Sequence, residues 1–342
     1  MAKSWPSNYK IIIMEKSLTI IGAGAWGSAL AIILSDKFDE IFLIDKNEEN
    51  IKKIGKIGKH HPILSRPFTN AIKLSHNIGL VAKSEGVLIA APSYAFSDIL
   101  KNIKPHLYEH HHIAWATKGF DSYNECFLHE TFNKILPTYK ACIISGPTFA
   151  TEIVEKKPAA IVVASKDKKN RDFWVNTIQT NTLRAYTNTD IIGVQVGGCV
   201  KNILAIAAGV ASELNFGSNA QAALITRGLA EMTRLGVSLG AENLTFQGLS
   251  GIGDLVLTCS DDLSRNRRFG KELANNNSTD KALSKIGATV EGFNTLRLVI
   301  EIAKKHQIEM PICEQVLAVV EGRKTPTDAV TDLLLRKSNS EY

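Results

Sequence analysis

Two lysines, an aspartate and an arginine–asparagine pair stand where side chains of their type can do chemistry. Lys118 lies in Trp115-Ala116-Thr117-Lys118-Gly119, at the end of a run that reads as a buried strand. Residues just past the carboxyl end of a parallel strand face the ligand crevice of an open α/β sheet. Lys201 ends the stretch Gly193-Val194-Gln195-Val196-Gly197-Gly198-Cys199-Val200-Lys201 and is followed by Asn202 and the apolar run Ile203–Val210. A lysine there either snorkels or is functional, and Gly197-Gly198 leave room for a backbone or a ligand. Asp254 closes the turn Gly251-Ile252-Gly253-Asp254, and Ser264-Arg265-Asn266-Arg267-Arg268 follows. That order suits an anionic group, because guanidinium offers a planar fork to phosphate; a helix cap followed by a solvated basic face is the other reading. Ammonium groups near a carbonyl would stabilise or protonate the oxygen as charge builds on it.

A second pattern suggests where a hydride would come from. Gly22, Gly24 and Gly27 form G-x-G-x-x-G between the strand Leu18–Ile21 and the helical run Ser28–Leu34. Gly22 suits a tight turn, Gly24 lets a pyrophosphate approach the backbone, and Gly27 allows close helix–strand packing. The helix start then offers free N–H groups to phosphate. A second strand, Glu40–Ile44, ends in Asp45, 18 residues beyond Gly27, where a carboxylate would hold ribose hydroxyls. Asp45 favours NAD, since it would repel a 2′-phosphate, while Lys46 beside it would offset that repulsion. The cofactor is therefore read as NAD or NADP, with NAD ahead. The strand Gly86–Ala90 runs into Ala91-Pro92-Ser93, and Phe96 beyond it is read either as a cofactor neighbour or as a core aromatic.

These groups need a scaffold. Further buried strands are expected at His112–Ala116, Ala141–Ile144 and Ala159–Ala164, alternating with helical stretches. From Ile191 the texture turns helical, with candidates at Val194–Glu213, Asn219–Gly240, Leu263–Asn275, Gly292–His306 and Pro311–Glu321. The expected fold is an α/β Rossmann domain with a mostly parallel, doubly wound sheet, followed by an all-α domain. Residues 1–16 read as an extension, 17–195 as the dinucleotide domain and 196–342 as the helical, substrate-binding domain. The asparagine run Asn275–Asn277 and the polar tail are the low-complexity segments.

The 342 residues carry a net charge of +6 without a basic block, so nucleic acid is not an expected partner, whereas a small anionic substrate is. Five cysteines (Cys126, Cys142, Cys199, Cys259 and Cys313) form no C-x-x-C pair. That argues against a disulfide framework and for a reducing cytoplasm. No segment is expected to insert in a membrane; Ile11-Ile12-Ile13-Met14 is too short for a signal-peptide core. His110-His111-His112 and His60-His61 read as exposed strand entries, not metal ligands, since neighbours in a strand alternate faces.

The motifs in their order resemble the NAD(P)-dependent glycerol-3-phosphate dehydrogenases of bacterial type, over roughly residues 17–335. The resemblance is carried by Ile21–Gly27, Trp115–Gly119, Ile144-Ser145-Gly146-Pro147-Thr148-Phe149-Ala150 and Gly193–Asn202. It continues in Thr226-Arg227-Gly228-Leu229-Ala230-Glu231-Met232, Gly253–Cys259, Ser264–Gly270 and Val290-Glu291-Gly292. It implies an active site between the two domains and interconversion of dihydroxyacetone phosphate and sn-glycerol 3-phosphate, at the entry to phospholipid synthesis. By resemblance Lys201 is the catalytic acid/base. Lys118, Asp254, Ser264, Arg265 and Asn266 bind substrate, with Gly146 and Thr148 in a loop near it. Ala25, Trp26, Ala150, Arg265 and Glu291 touch the cofactor, and Lys118 is grouped with them. A homodimer fits the resemblance. Two features depart from the pattern: Ala25 stands where many members have Ser or Thr, and Asp45-Lys46 where bacterial members often have Gly followed by His or Arg. The other readings are a two-domain dehydrogenase for a β-hydroxyacid or hydroxyacyl thioester, and a dinucleotide sensor without turnover. The basic cluster after Asp254 speaks against the first, and the set of Lys118, Lys201 and Asp254 against the second.

Overall fold

The computed structural model describes residues 16–56, 60–276 and 278–335. Of the expected N-terminal extension only Lys16 is among them; Asn277 and the tail from 336 onward also lie outside the described residues.

The N-terminal half alternates strands and helices. In chain order come β1 (Ser17–Ile21), α1 (Ala25–Leu34), β2 (Glu40–Ile44), α2 (Glu48–Lys56), β3 (Ile72–Ser75), β4 (Gly86–Ile89), α3 (Phe96–Ile103) and β5 (His112–Trp115). A short hairpin, β6 (Phe120–Asp121) with β7 (Cys126–Phe127), leads into α4 (Leu128–Ile135). Then follow β8 (Ile143–Ser145), α5 (Ala150–Val154), β9 (Ala159–Ala164), α6 (Lys168–Ile178) and β10 (Leu183–Asn188). Eight strands form one sheet in the order β10-β9-β8-β5-β4-β1-β2-β3. All neighbours pair parallel except β8 with β9, so the expected mostly parallel sheet is what forms. Its chain order reverses between β1 and β4, the switch point at which such sheets bind ligands beyond the strands' carboxyl ends. Central strands such as β1 and β4 are buried along their whole length, which is why they read as unbroken apolar runs.

The rest of the described chain is helical: α7 (Ile191–Glu213), α8 (Gly217–Ser238), α9 (Asn243–Phe246), one π-helical turn at Leu249–Gly253, α10 (Asp254–Ser260), α11 (Arg265–Asn276), α12 (Thr279–Ile286), α13 (Glu291–Lys305), α14 (Pro311–Val320) and α15 (Pro326–Leu334). By length and composition α7 could cross a membrane, but 89% of its apolar window is buried inside the protein. It is the axis of the second core, where Ile203, Leu204 and Ile206 meet Leu235, Phe246 and Phe269. Asp190 starts it by accepting the Gly193 N–H at 2.8 Å. The same carboxylate accepts from Glu242 N at 2.9 Å and Thr245 Oγ1 at 2.7 Å, tying α9 to the base of α7.

Both histidine expectations need correction: His60 and His61 are half-buried, with His60 in an isolated bridge to Pro67. His110 is exposed, but His111 is buried, its Nε2 lying 3.0 Å from the Val81 carbonyl oxygen, and His112 stacks on Phe173 at 4.1 Å between ring centroids. The run packs against the sheet's flank and is not simply an exposed strand entry. All five cysteines are free thiols.

Candidate active site

The β1–α1 turn is built as a phosphate cradle. Gly22 has φ of +113°, where only glycine is relaxed, and a Cβ there would lie 2.7 Å from the Ala90 carbonyl oxygen. A Cβ on Gly27 would fall 2.0 Å from the Gly22 carbonyl oxygen, so α1 can approach the turn only without one. At Gly24 a Cβ would meet nothing within 4 Å, so the space before α1 is open. Gly24 is the N-cap of α1 and supplies no side-chain bond to the first-turn N–H groups. An uncapped helix start beside open space fits a pyrophosphate. Ala25 adds no polar group, and Trp26 packs partly against the core beneath.

Asp45 follows β2 directly, half-buried, while Lys46 is exposed. The uncapped helix start, the open space and this carboxylate together fit a nicotinamide dinucleotide. Phe96 is a correction: it is fully buried and packs edge-on against Trp115 with centroids 5.3 Å apart, so the core-aromatic reading holds. Its ring lies in the core cluster with Leu100, Trp115 and Phe132.

Lys118, Lys201 and Asp254 come together although they are far apart in sequence. Thr117 anchors the loop after β5 by donating to the Ala91 carbonyl at 2.8 Å, which fixes Lys118 beside the β4 loop. Lys118 Nζ lies 2.7 Å from Asp254 Oδ2 and donates to the Gly146 carbonyl at 3.5 Å. Lys201 Nζ lies 2.9 Å from Asp254 Oδ1 and donates to Thr258 Oγ1 at 2.7 Å. One carboxylate thus bridges two ammonium groups. Thr258 in turn donates to the Asp254 backbone carbonyl, one turn back on α10, at 2.6 Å. Asp254 and Lys201 are almost wholly buried, and Lys118 keeps 19% of its side chain exposed.

Burial lowers the Lys201 pKa to about 8. Asp254 opposes that shift and Lys118 reinforces it. Lys201 therefore sits near balance between acid and base at working pH, and it does not snorkel. Gly197 lets the turn before Asp254 come close to α7: a Cβ there would fall 2.2 Å from the Ser250 carbonyl oxygen.

A polar chain leads from Lys201 to the start of α11. Asn202, the next residue on α7, donates to Glu291 Oε2 at 3.3 Å. Its Oδ1 accepts from Asn266 Nδ2 at 3.0 Å, and Asn266 Oδ1 accepts the Gly292 N–H at 2.9 Å. Asn266 and Glu291 are thereby tied to the residue beside Lys201. Ser264 Oγ accepts the Arg267 N–H at 3.2 Å and so starts α11, keeping its own proton to donate. Arg267 turns inward, with Asp262 and Ser212 Oγ as partners, whereas Arg265 is exposed and forms no ion pair among the described residues. Ser264 thus caps α11 as the cap reading expects, and Arg265 stands exposed on the first turn of that helix. Gly146 and Thr148 form the loop after β8, where Thr148 Oγ1 donates to the Gly146 carbonyl at 3.3 Å, and Ala150 begins α5 just beyond.

Thr258 and Asn202 are the participants to which sequence reasoning gave no role. The spacing of Thr258 from Asp254, one helical turn, is a local signal for the first, and the place of Asn202 next to Lys201 one for the second. Among the described residues no group of three His, Cys, Asp or Glu stands close enough to hold a metal.

Comparison with known proteins agrees with this geometry. The family model described as the N-terminus of NAD-dependent glycerol-3-phosphate dehydrogenase matches residues 17–171, and the C-terminus model matches 190–331. The glycerol-3-phosphate dehydrogenase [NAD(P)+] of Ruthia magnifica subsp. Calyptogena magnifica is 57% identical over 328 residues, covering 96% of this chain and 100% of its own. That of Hydrogenovibrio crunogenus is 42% identical over 338 residues, covering 96% and 98%. A solved glycerol-3-phosphate dehydrogenase from Coxiella burnetii superposes with a TM-score of 0.90 at 38% identity, covering 94% of this chain and 100% of its own. With both family models matched in order and a two-lysine, one-carboxylate centre beside a dinucleotide cradle, the chain belongs to the NAD-dependent glycerol-3-phosphate dehydrogenase family, an oxidoreductase acting on a CH–OH group with NAD or NADP.

Proposed function

We propose that Lys201 is the proton donor and acceptor in the interconversion of dihydroxyacetone phosphate and sn-glycerol 3-phosphate. The observation that carries this is the Asp254 carboxylate bridging Lys201 and Lys118 in a nearly closed site. A bound nicotinamide supplies or takes up the hydride at the substrate carbon. During reduction the carbonyl oxygen gains the electron pair of its π bond, and Lys201 Nζ gives it a proton; during oxidation the neutral amine takes that proton back. Asp254 holds both ammonium groups in register, and Thr258 fixes the lone-pair direction of Lys201. Lys118 places a second positive charge where oxygen charge develops.

Arg265, Asn266 and Ser264 stand at the N-terminus of α11, which suits the substrate phosphate. Holding that phosphate positions the carbonyl for transfer. Gly146 and Thr148 line the substrate side. Gly22, Gly24, Ala25, Trp26, Gly27, Asp45, Lys46, Ala150 and Glu291 serve the dinucleotide, with Lys118 and Arg265 touching both ligands. In this reading residues 17–195 are the dinucleotide domain and 196–342 the substrate domain. The enzyme works in the cytoplasm as a homodimer and supplies glycerol 3-phosphate for glycerophospholipids.

The test is a steady-state assay with dihydroxyacetone phosphate, following nicotinamide absorbance. Oxidation of the reduced dinucleotide that depends on the phosphate, with dihydroxyacetone itself a poor substrate, is expected. Arg265→Ala should raise the substrate KM roughly tenfold or more, the scale of a lost charge-assisted contact of about 1.5–3 kcal/mol. No turnover by a folded protein that binds dinucleotide would sink the substrate assignment, and an unchanged KM would remove Arg265 from the phosphate site.

A further inference from the structure

We infer that this chain selects NAD over NADP, and that Asn50 is the positioning residue for that selection, acting through Asp45. The inference rests on the dinucleotide site of the preceding reading, but not on its substrate.

The β2–α2 connection is tied into one rigid turn. Asn47 Oδ1 accepts the N–H groups of Glu49 at 2.9 Å and Asn50 at 3.3 Å, which caps the start of α2. That cap sets Asn50 on the first turn with its amide reaching back: Asn50 Nδ2 donates to Asp45 Oδ2 at 2.8 Å. The other carboxylate oxygen, Oδ1, accepts the Asn47 N–H at 2.9 Å. Both oxygens of Asp45 are thus held from the α2 side.

A carboxylate has about four acceptor sites, so two remain for ligand donors. The 2′- and 3′-hydroxyls of an adenosine ribose can fill them. A 2′-phosphate at neutral pH carries close to two negative charges and offers acceptors where donors are needed. An unheld aspartate could rotate toward solvent and let that phosphate in. Asp45 would have to give up two hydrogen bonds to do so, one of them to a backbone N–H within the capped turn.

The nearby cations do not cancel this. Lys52 is engaged with Glu48 at 2.9 Å. Lys46 is exposed, where solvent and salt screen its charge. Glu48 and Glu49 on the first turn of α2 are exposed and screened in the same way, so the selection rests on Asp45 itself.

The experiment is a titration of the full chain with NADH and NADPH, read by nicotinamide fluorescence without substrate, together with kcat/KM for each in the reductive assay. The unaltered protein should favour NADH by roughly a hundredfold, the scale of an unrelieved like-charge contact. Asn50→Ala should weaken NADH, strengthen NADPH and shrink that ratio about tenfold. In an Asp45→Ser background the same substitution should leave the ratio where Asp45→Ser put it, because its target is gone. A wild-type protein that binds the two dinucleotides within about threefold would overturn the selection. An Asn50→Ala effect equal on both dinucleotides, or undiminished in the Asp45→Ser background, would show that Asn50 only supports α2. Since binding alone decides these outcomes, failure to turn over dihydroxyacetone phosphate would sink the substrate assignment and leave this inference standing.

Discussion

Lys201 is a cation in a place that disfavours cations, and that conflict sets its chemistry. Burial pulls its pKa down to about 8 against the attraction of Asp254. Ketone reduction needs the protonated amine, so kcat/KM for dihydroxyacetone phosphate should fall as pH rises through about 8, and kcat/KM for oxidation of glycerol 3-phosphate should rise through the same pH. Lys201→Ala should lower kcat by about 10²–10⁴ and erase that limb of both profiles while dinucleotide affinity is kept. Near-normal turnover, or an intact limb in the variant, would move the acid/base role elsewhere. At this scale the sequence showed its strongest signals as glycines and charges in apolar surroundings. Lys118, Lys201 and Asp254 stood out because each is too polar for its neighbours, and the structure brings them within hydrogen-bond reach of one another. Thr258 and Asn202 did not stand out, since a threonine or an asparagine on a helix has many ordinary roles, and only the folded positions of Lys201 and Asn266 give them meaning. Phe96 misled for the opposite reason, because nearness to a ligand loop says nothing about which way a ring points.

The elements hold this centre by close helix contact. α7 and α11 cross with glycine on both sides: a Cβ on Gly209 would lie 2.0 Å from the Arg267 carbonyl oxygen, and one on Gly270 would lie 2.0 Å from that of Ile206. The crossing positions Asn266 against Asn202 and Arg265 at the site's mouth. Gly209→Ala must push backbone apart, which costs about 1–3 kcal/mol as overpacking and shifts the start of α11. The expected result is a lower Tm together with a raised substrate KM. A variant with wild-type Tm and KM would show that the crossing has slack. This contact was hidden in the sequence, where Gly209 and Gly270 are single small residues on separate helices and nothing local pairs them. The strands divide the same way. β2 and β9 were legible to the residue because strands covered on both faces read as apolar runs. β3 and β10, at the two edges of the sheet, escaped notice because they mix buried and exposed positions, with Lys73, Arg184 and Tyr186 among them. The helix α12 was lost among polar residues, as only Ala282 of its length is fully buried.

At the scale of the whole molecule, a wide concavity lies away from the chemistry. A groove of about 1300 Å³ runs between α7, α8, α14 and α15, lined by residues such as Leu224, Val316 and Val330, and neither Lys118, Lys201 nor Asp254 lines it. Phe216 and Leu334 stand at its edge with 39% and 75% of their surface exposed. A second copy of the chain covering this face is the proposed basis of the homodimer, since closed pairs bury one self-complementary patch. Glu231 lies in the groove's wall, accepting the N–H groups of Ile312 at 2.7 Å and Cys313 at 3.3 Å at the start of α14. Burial pushes its carboxyl up to about 7, against those two hydrogen bonds and the Arg234 charge. A folded-state pKa above the unfolded one means the folded chain holds this proton more tightly. Stability is then fully present below the ordinary carboxylate range and declines as pH rises through about 7. Stability to denaturant should therefore fall as pH rises from the ordinary carboxylate range to about 7, and sedimentation across a concentration series should show a pair of chains. Phe216→Glu or Leu334→Glu should give single chains that keep their fold, since both side chains already reach water before association. Glu231→Gln should flatten the pH dependence without moving the interface. A single-chain mass at every concentration, or a dimer indifferent to Phe216→Glu and Leu334→Glu, would place the contact on another face.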